Sequence, residues 1–322
     1  MRRFIATVSL LAVAIFIIGF LNSRISDKYD DDSNVYINWD LVDHTGIHYT
    51  DADTIVYRTE DINSEGYDDL YYSLFINDSD KTVLAAKNPH ERMYPASMTK
   101  LMTAIIVCDK IDDGSISYDD VVKLSHNYNI TVPGVGPCEL TYGCEITVDN
   151  LMHGLLIESN NYYALILAEY IAGDVESFCQ LMNDRAYSIG ATNTHYMNPH
   201  GLDDPEHYST AYDLYLITKE AKKYPYIRDI SQMASYSYVY KDSYGNQVET
   251  ETNTTNMFVS GKAVLPSGFK ISACKTGTTT GAGNCLALWL DKDGKDYFLV
   301  ASHATSRSQL YTDIAKIMCY IQ

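Results

Sequence analysis

Period-two alternation of apolar and polar residues marks both flanks of the chain, and a block of helical patterning separates them. Residues 70–76 and 82–86 alternate around Asn77-Asp-Ser-Asp-Lys81, which predicts a hairpin. From Pro95 the pattern turns helical. Proline suits a helix entry, and residues 98–107 are apolar on nearly every side, the mark of a helix inside a domain. Gly114 terminates that helix near 109–114. Polar loops follow through Tyr142. Thr147 opens a second helix carrying Leu151, Leu155 and Leu156. A third spans 162–171 and closes at Gly173, a fourth spans 175–189, and a fifth spans 209–222 with Ser209 or Thr210 as its N-cap. Alternation returns at 235–240 and 247–250. Residues 269–275, 285–290 and 297–302 read as strands, the last two joined through the tight turn Asp291-Lys-Asp-Gly294. Residues 309–321 form a closing amphipathic helix. Strands, then helices, then strands predict an α+β domain: an antiparallel sheet flanked by helices, with a mostly helical lobe.

The N-terminal pattern is different. Residues 4–21 are eighteen positions without a charge, just enough to span a bilayer core. Arg2 and Arg3 before them favour a cytoplasmic N-terminus. The exit, Gly19-Phe-Leu-Asn-Ser-Arg24, matches a small-x-small cleavage site poorly, and no lipobox cysteine is present. An uncleaved anchor is therefore favoured over a removed signal, and either places the remaining chain outside the cytoplasm. Residues 1–22 are taken as anchor or signal. Residues 23–69 are rich in acid and are taken as an extracytoplasmic spacer, with packing onto the domain as the alternative. Residues 70–322 are taken as the folded domain.

Composition narrows the function classes. A hydrophobic fraction of 46% supports a substantial core, and a net charge of −18 argues against nucleic acid as a partner, since phosphates would be repelled. The nine His are scattered, and neither a Cys-x-x-Cys pair nor a His-rich cluster suggests a metal. Seven Cys leave at least one unpaired within the chain. Cys138 and Cys144 are spaced to close a small loop in an oxidising compartment. Cys274 and Cys285 are either cross-strand neighbours or two buried free thiols.

Polar residues that interrupt the apolar helices carry the chemistry. Ser97 and Lys100 are three apart at a helix entry, so they lie on one face. A serine hydroxyl is a poor nucleophile at neutral pH, and an amine with its pKa lowered by desolvation can take its proton. The N–H groups of a helix N-terminus point at any oxyanion forming there. Ser159-Asn160-Asn161 sits in a loop between two buried helices. Lys275-Thr276-Gly277 lies on a strand followed by a Thr- and Gly-rich turn. Each signal is common by chance; their order, each in a suitable local structure, is not.

The three resemble the signature of penicillin-binding proteins and class A β-lactamases. From about Leu70 onward the chain is similar to the serine D-alanyl-D-alanine carboxypeptidases, the low-molecular-mass penicillin-binding proteins. The likeness includes Met197-Asn-Pro-His-Gly-Leu-Asp203, the more specific stretch, and His207-Tyr-Ser-Thr-Ala211. The Glu-x-x-Leu-Asn pattern expected of a class A β-lactamase is not found. The resemblance implies a β-lactamase/transpeptidase-like fold and no cofactor. It implies Ser97 as the acylated nucleophile, Lys100 as its base and Ser159 as a proton relay. It implies Asn161 as a donor to the substrate amide, and Lys275 with Thr276 on the terminal carboxylate. Gly277 would let the substrate backbone lie close, and the N–H groups of Ser97 and Thr278 would form the oxyanion hole. The implied partners are peptidoglycan stem peptides and β-lactams as covalent inhibitors, at the outer face of the bacterial membrane.

The chain departs from that family's usual pattern in two ways. It closes just after the helix at 309–321, where many members continue into a β-rich domain and a terminal amphipathic helix, so anchoring is expected at the N-terminus. Arg307 is the only local candidate for an arginine assisting the carboxylate. A D,D-endopeptidase using the same residues is the near alternative. A β-lactamase or a β-lactam sensor is less favoured, the latter because only three residues precede the apolar segment.

Overall fold

The hairpin predicted by alternation is β1 (Tyr72–Asn77) and β2 (Thr82–Lys87). Asn77 pins its turn: its amide donates to the Asp80 carboxylate at 2.8 Å and its carbonyl accepts from the Asp80 N–H at 3.1 Å. The structure is a computed structural model and describes residues 61–320. The apolar segment at 4–21 and the spacer up to residue 60 lie outside the described residues. Residues 61–69 are packed onto the domain. Tyr67 is buried, Ile62 pairs with Ala86, and the Asp69 carboxylate accepts from the N–H and hydroxyl of Thr305 at 2.9 and 2.8 Å. Part of the stretch read as spacer is thus domain. Among the described residues no helix is long and apolar enough to cross a membrane.

A 3-10 turn, Ala96–Thr99, leads into α1 (Lys100–Asp112). Ser97 therefore sits in the tighter turn before the helix and not in its first α-helical turn. Every residue of α1 from Lys100 to Cys108 is buried, as its all-round apolarity requires. Around it stand α2 (Val148–Leu156), α3 (Asn161–Ala172), α4 (Val175–Ser188) and α5 (Ala211–Ala221). Side chains cap these helices where the sequence suggests: Thr147 accepts from Asn150 N–H, and Thr210, rather than Ser209, accepts from Asp213 N–H. Two three-residue strands, β3 (Val121–Lys123) and β4 (Glu145–Thr147), and the short helix α6 (Pro225–Ser231) escape the sequence reading, being too short to show a period.

β5 (Ser235–Lys241) and β6 (Gln247–Asn253) join β3 and β4 in a second sheet of order β3-β4-β5-β6. The larger sheet adds β7 (Lys270–Thr279), β8 (Gly283–Lys292) and β9 (Lys295–Ala304) to the first hairpin, in the antiparallel order β2-β1-β9-β8-β7. Its strands feed two cores by alternation. Leu74, Ile76, Trp289 and Val300 face the core of α1 and α5, while Phe75, Leu288 and Leu299 face α7 (Arg307–Met318). The α+β class is as predicted, with helices on both faces of one antiparallel sheet and a helical lobe. β7 is an edge strand and runs to Thr279, so Lys275-Thr276-Gly277 sits mid-strand.

The cysteine expectations resolve against pairing. Cys274 lies opposite Leu288 and Cys285 opposite Gly277, so the two are not cross-strand neighbours. Both are buried thiols, and Cys138 and Cys144 are free thiols as well.

Candidate active site

Lys100 is the centre of the site. It is fully buried, and its amine reaches Ser97 Oγ at 2.9 Å, Asn161 Oδ1 at 2.7 Å and the His200 carbonyl at 2.6 Å. Burial holds its pKa well below that of a free lysine, and the nearby Lys275 pushes it down further. A neutral amine has two hydrogens and one lone pair. The Asn161 and His200 oxygens can only accept, so they take both hydrogens. The lone pair is then left for the hydroxyl hydrogen of Ser97. This is the geometry of a base beside a nucleophile.

The loop 197–207 supplies that third partner. Besides the His200 carbonyl on Lys100, the Pro199 carbonyl accepts from Thr103 Oγ1 at 2.6 Å. The loop thus grips two residues spaced three apart on α1. Gly201 has φ +88°, and a Cβ there would lie 1.9 Å from the Ala96 carbonyl oxygen. Only glycine lets the loop press this closely on the Ser97 turn. His207 Nδ1 accepts from the Met197 N–H at 3.1 Å, so Nε2 carries the hydrogen and donates to Thr99 Oγ1 at 2.8 Å. That neutral tautomer agrees with the burial that pushes its pKa down to about 4. His200, buried likewise and facing Lys100, is pushed down to about 3.

β7 forms the opposite wall. A Cβ on Gly277 would lie 2.9 Å from Ala96 Cβ and 3.1 Å from Ser97 N. The absent side chain therefore lets the strand pass against the nucleophile's own turn, a reason the sequence reading did not anticipate. Lys275 is buried on the same face of the strand, donates to the Thr276 carbonyl at 3.1 Å, and is pushed by burial to a pKa of about 7. Thr276 Oγ1 bonds Thr255 Oγ1, and the Thr255 N–H donates to the Ile157 carbonyl at 3.1 Å. Thr255, absent from any motif, thus ties the strand to the loop carrying Ser159. Thr278 is exposed; its hydroxyl donates to the Gly277 carbonyl at 2.8 Å. Asp203 fastens the strand's end to the 197–207 loop, accepting from Thr279 Oγ1 at 2.5 Å and the Gly281 N–H at 2.8 Å.

Of the residues singled out from sequence, Ser97, Lys100 and Asn161 are joined directly, and Lys275 and Gly277 border them. Ser159 Oγ is buried without a hydrogen-bond partner. Ser159 has φ +72°, and Ala96, just before the nucleophile, has φ +47°. Such backbone is costly for residues with a side chain and collects at functional sites. Arg307 is exposed in the first turn of α7, and no hydrogen bond joins it to these residues among those described. The His200 carbonyl, His207 and Asp203 were quoted only as part of a motif. A backbone oxygen has no signature in residue type, so its role was invisible.

A helical lobe and an antiparallel sheet meet at half-buried Ser97 and fully buried Lys100, the architecture of the transpeptidase-like fold. Residues 72–305 match the D-alanyl-D-alanine carboxypeptidase family, and the chain belongs to that family. It is 30% identical over 236 residues to the D-alanyl-D-alanine carboxypeptidase DacF of Bacillus subtilis (strain 168), covering 73% of this chain and 58% of that protein. It is 33% identical over 205 residues to DacC of Escherichia coli (strain K12), covering 62% of this chain and 48% of that protein. The chain spans about half the length of these curated relatives. A D-alanyl-D-alanine endopeptidase of E. coli (strain K12) is 28% identical over 231 residues, covering 70% of this chain and 69% of the relative. Among solved structures, a mutant of the Streptomyces K15 DD-transpeptidase superposes with a TM-score of 0.67 at 25% identity, covering 78% of this chain and 96% of that one.

Proposed function

We propose that the protein is a serine-type D-alanyl-D-alanine carboxypeptidase that removes the terminal D-alanine of peptidoglycan stem peptides through an acyl-enzyme on Ser97. The observation that carries this reading is the allocation of Lys100's three hydrogen bonds, which leaves a lone pair for the Ser97 hydroxyl at 2.9 Å. Lys100 takes the proton as Ser97 attacks the penultimate carbonyl. The N–H groups of Ser97 and Thr278 receive the oxyanion, and Ser159, whose hydroxyl is otherwise unpartnered, passes the proton to the departing D-alanine amine. Asn161 orients the substrate amide. Lys275 and Thr276 hold the terminal carboxylate, and the free edge of β7 accepts the peptide backbone as an added strand. Water then cleaves the ester. β-Lactams acylate the same serine. The catalytic domain begins at or before Asp61 and works outside the cytoplasm, held to the membrane through residues 4–21.

Cleavage of cross-linked peptides is the second reading. It is favoured by the endopeptidase relative, which matches over 69% of its own length where the carboxypeptidases above match over 58% or less. Labelling with a fluorescent penicillin tests the shared chemistry: the wild type takes a covalent label and Ser97→Ala takes none. A wild type that stays unlabelled removes the proposal. Release of D-alanine from a pentapeptide, against splitting of a cross-linked dimer, separates the two reactions.

A further inference from the structure

Beside Tyr94 lies a cavity of about 340 Å³, within the range of small-ligand sites. Three tyrosines, Tyr72, Tyr94 and Tyr208, line it together with His303, Arg92 and Glu206. The Arg92 guanidinium lies 4.0 Å over the Tyr208 ring, and the Arg92 carbonyl accepts from Tyr72 Oη at 3.3 Å. Arg92 makes no ion pair among the described residues. Its fork of N–H donors is held in place by stacking, not by a carboxylate. His303 has φ +67° and meets Tyr71 and Tyr72 edge-on, so this wall is built on backbone that a side-chain-bearing residue rarely adopts. None of these groups takes part in the Ser97 chemistry.

We propose that this cavity binds a neutral sugar ring. Arg92 and Glu206 balance in charge, which favours an uncharged ligand over an anion. A guanidinium offers only donors and a carboxylate only acceptors, while adjacent sugar hydroxyls offer both. Arg92 covers a face of Tyr208, which leaves Tyr72 and Tyr94 as the lining aromatic side chains suited to the C–H face of a pyranose. Donors and rings set in advance lose little freedom on binding. The position adds to the case. Tyr94, which lines the cavity against Gly281, is three residues before Ser97 in the chain. Resting on the peptidoglycan reading, a polymer carrying both sugars and peptides would place a sugar here while its peptide reaches Ser97.

Calorimetric titration of the full-length chain with the trisaccharide of N-acetylglucosamine tests this. The wild type is expected to saturate in the millimolar range, with affinity falling at least about tenfold in Arg92→Ala and in Tyr208→Ala. Fluorescent penicillin is expected to label both variants as it labels the wild type. Should either variant fail to take the label, Glu206→Gln replaces it and is expected to show the same loss of sugar affinity. No saturation by about 20 mM, equal affinity in wild type and variants, or inorganic phosphate binding in preference to the sugar overturns the proposal. Failure of penicillin to label the wild type bears on the peptidase reading alone, because sugar binding is read without it.

Discussion

Two lysines are buried in one cleft, and their surroundings make them different reagents. Lys100 starts a helix, and three oxygens surround its amine, one of them the Ser97 hydroxyl. Lys275 sits on an edge strand, and its one hydrogen bond within the described structure goes to the neighbouring Thr276 carbonyl at 3.1 Å. Burial disfavours the charge on both. Burial takes Lys100 well below its ordinary range and repulsion from Lys275 adds to that, whereas burial brings Lys275 down to about 7. The first is therefore pushed toward the free base, and the second is still partly a cation near neutral pH. Burial is common to the two; what each amine is hydrogen-bonded to separates a proton acceptor from an anion receptor.

The sharpest way to break this comparison is to remove each amine in turn. Lys100→Ala is expected to lower the rate of penicillin acylation at least about 10³-fold with the unfolding midpoint little changed, since a general base contributes on that scale. Lys275→Ala leaves Lys100's partners in place, and an equal loss there would show the two lysines to be equivalent. Next in size is the loop that completes the Lys100 site. Gly201→Ala drives a methyl into the Ala96 carbonyl at a positive φ. Urea unfolding should show a loss of about 2–4 kcal/mol, together with slower acylation as the His200 carbonyl is displaced.

The Lys275 side is sharpened by pH. Lys275 is charged below about 7 and neutral above it, so kcat/KM for a peptide with a free carboxylate should decline as pH rises through that value. Lys275→Gln should lower kcat/KM about 10- to 100-fold at pH 6, the size of a lost charge-assisted hydrogen bond, and abolish the alkaline limb. A limb that persists in the variant belongs to another group. The smallest effect is expected at the clamp between strand and loop. Asp203→Asn keeps one acceptor of two, and should cost about 1 kcal/mol of stability with KM rising more than kcat falls.

Much of this arrangement was legible in the chain. The apolar run of α1 announced burial, and Ser97 and Lys100 stood out because polar groups inside such a helix need a reason. Thr147 and Gly173 marked helix ends through local chemistry, a side-chain oxygen for a bare N–H and a residue free to adopt positive φ. What was not legible depends on approach between distant segments. That Asn161 Oδ1 accepts from Lys100 while Ser159 Oγ stays unpartnered depends on how their turn lies against α1. Gly277 was assigned to the substrate, and its close neighbour proved to be the Ser97 turn. Cys274 and Cys285 were either cross-strand neighbours or two buried thiols, and only the register of β7 on β8 chose the second.

The chain by itself determined the elements, the α+β class and the polar residues that carry chemistry, because period, caps and side-chain type act over a few neighbours. Only the tertiary structure decided which way the Lys100 lone pair points. That choice depends on a carbonyl 100 residues away, which every residue type carries and only packing can aim.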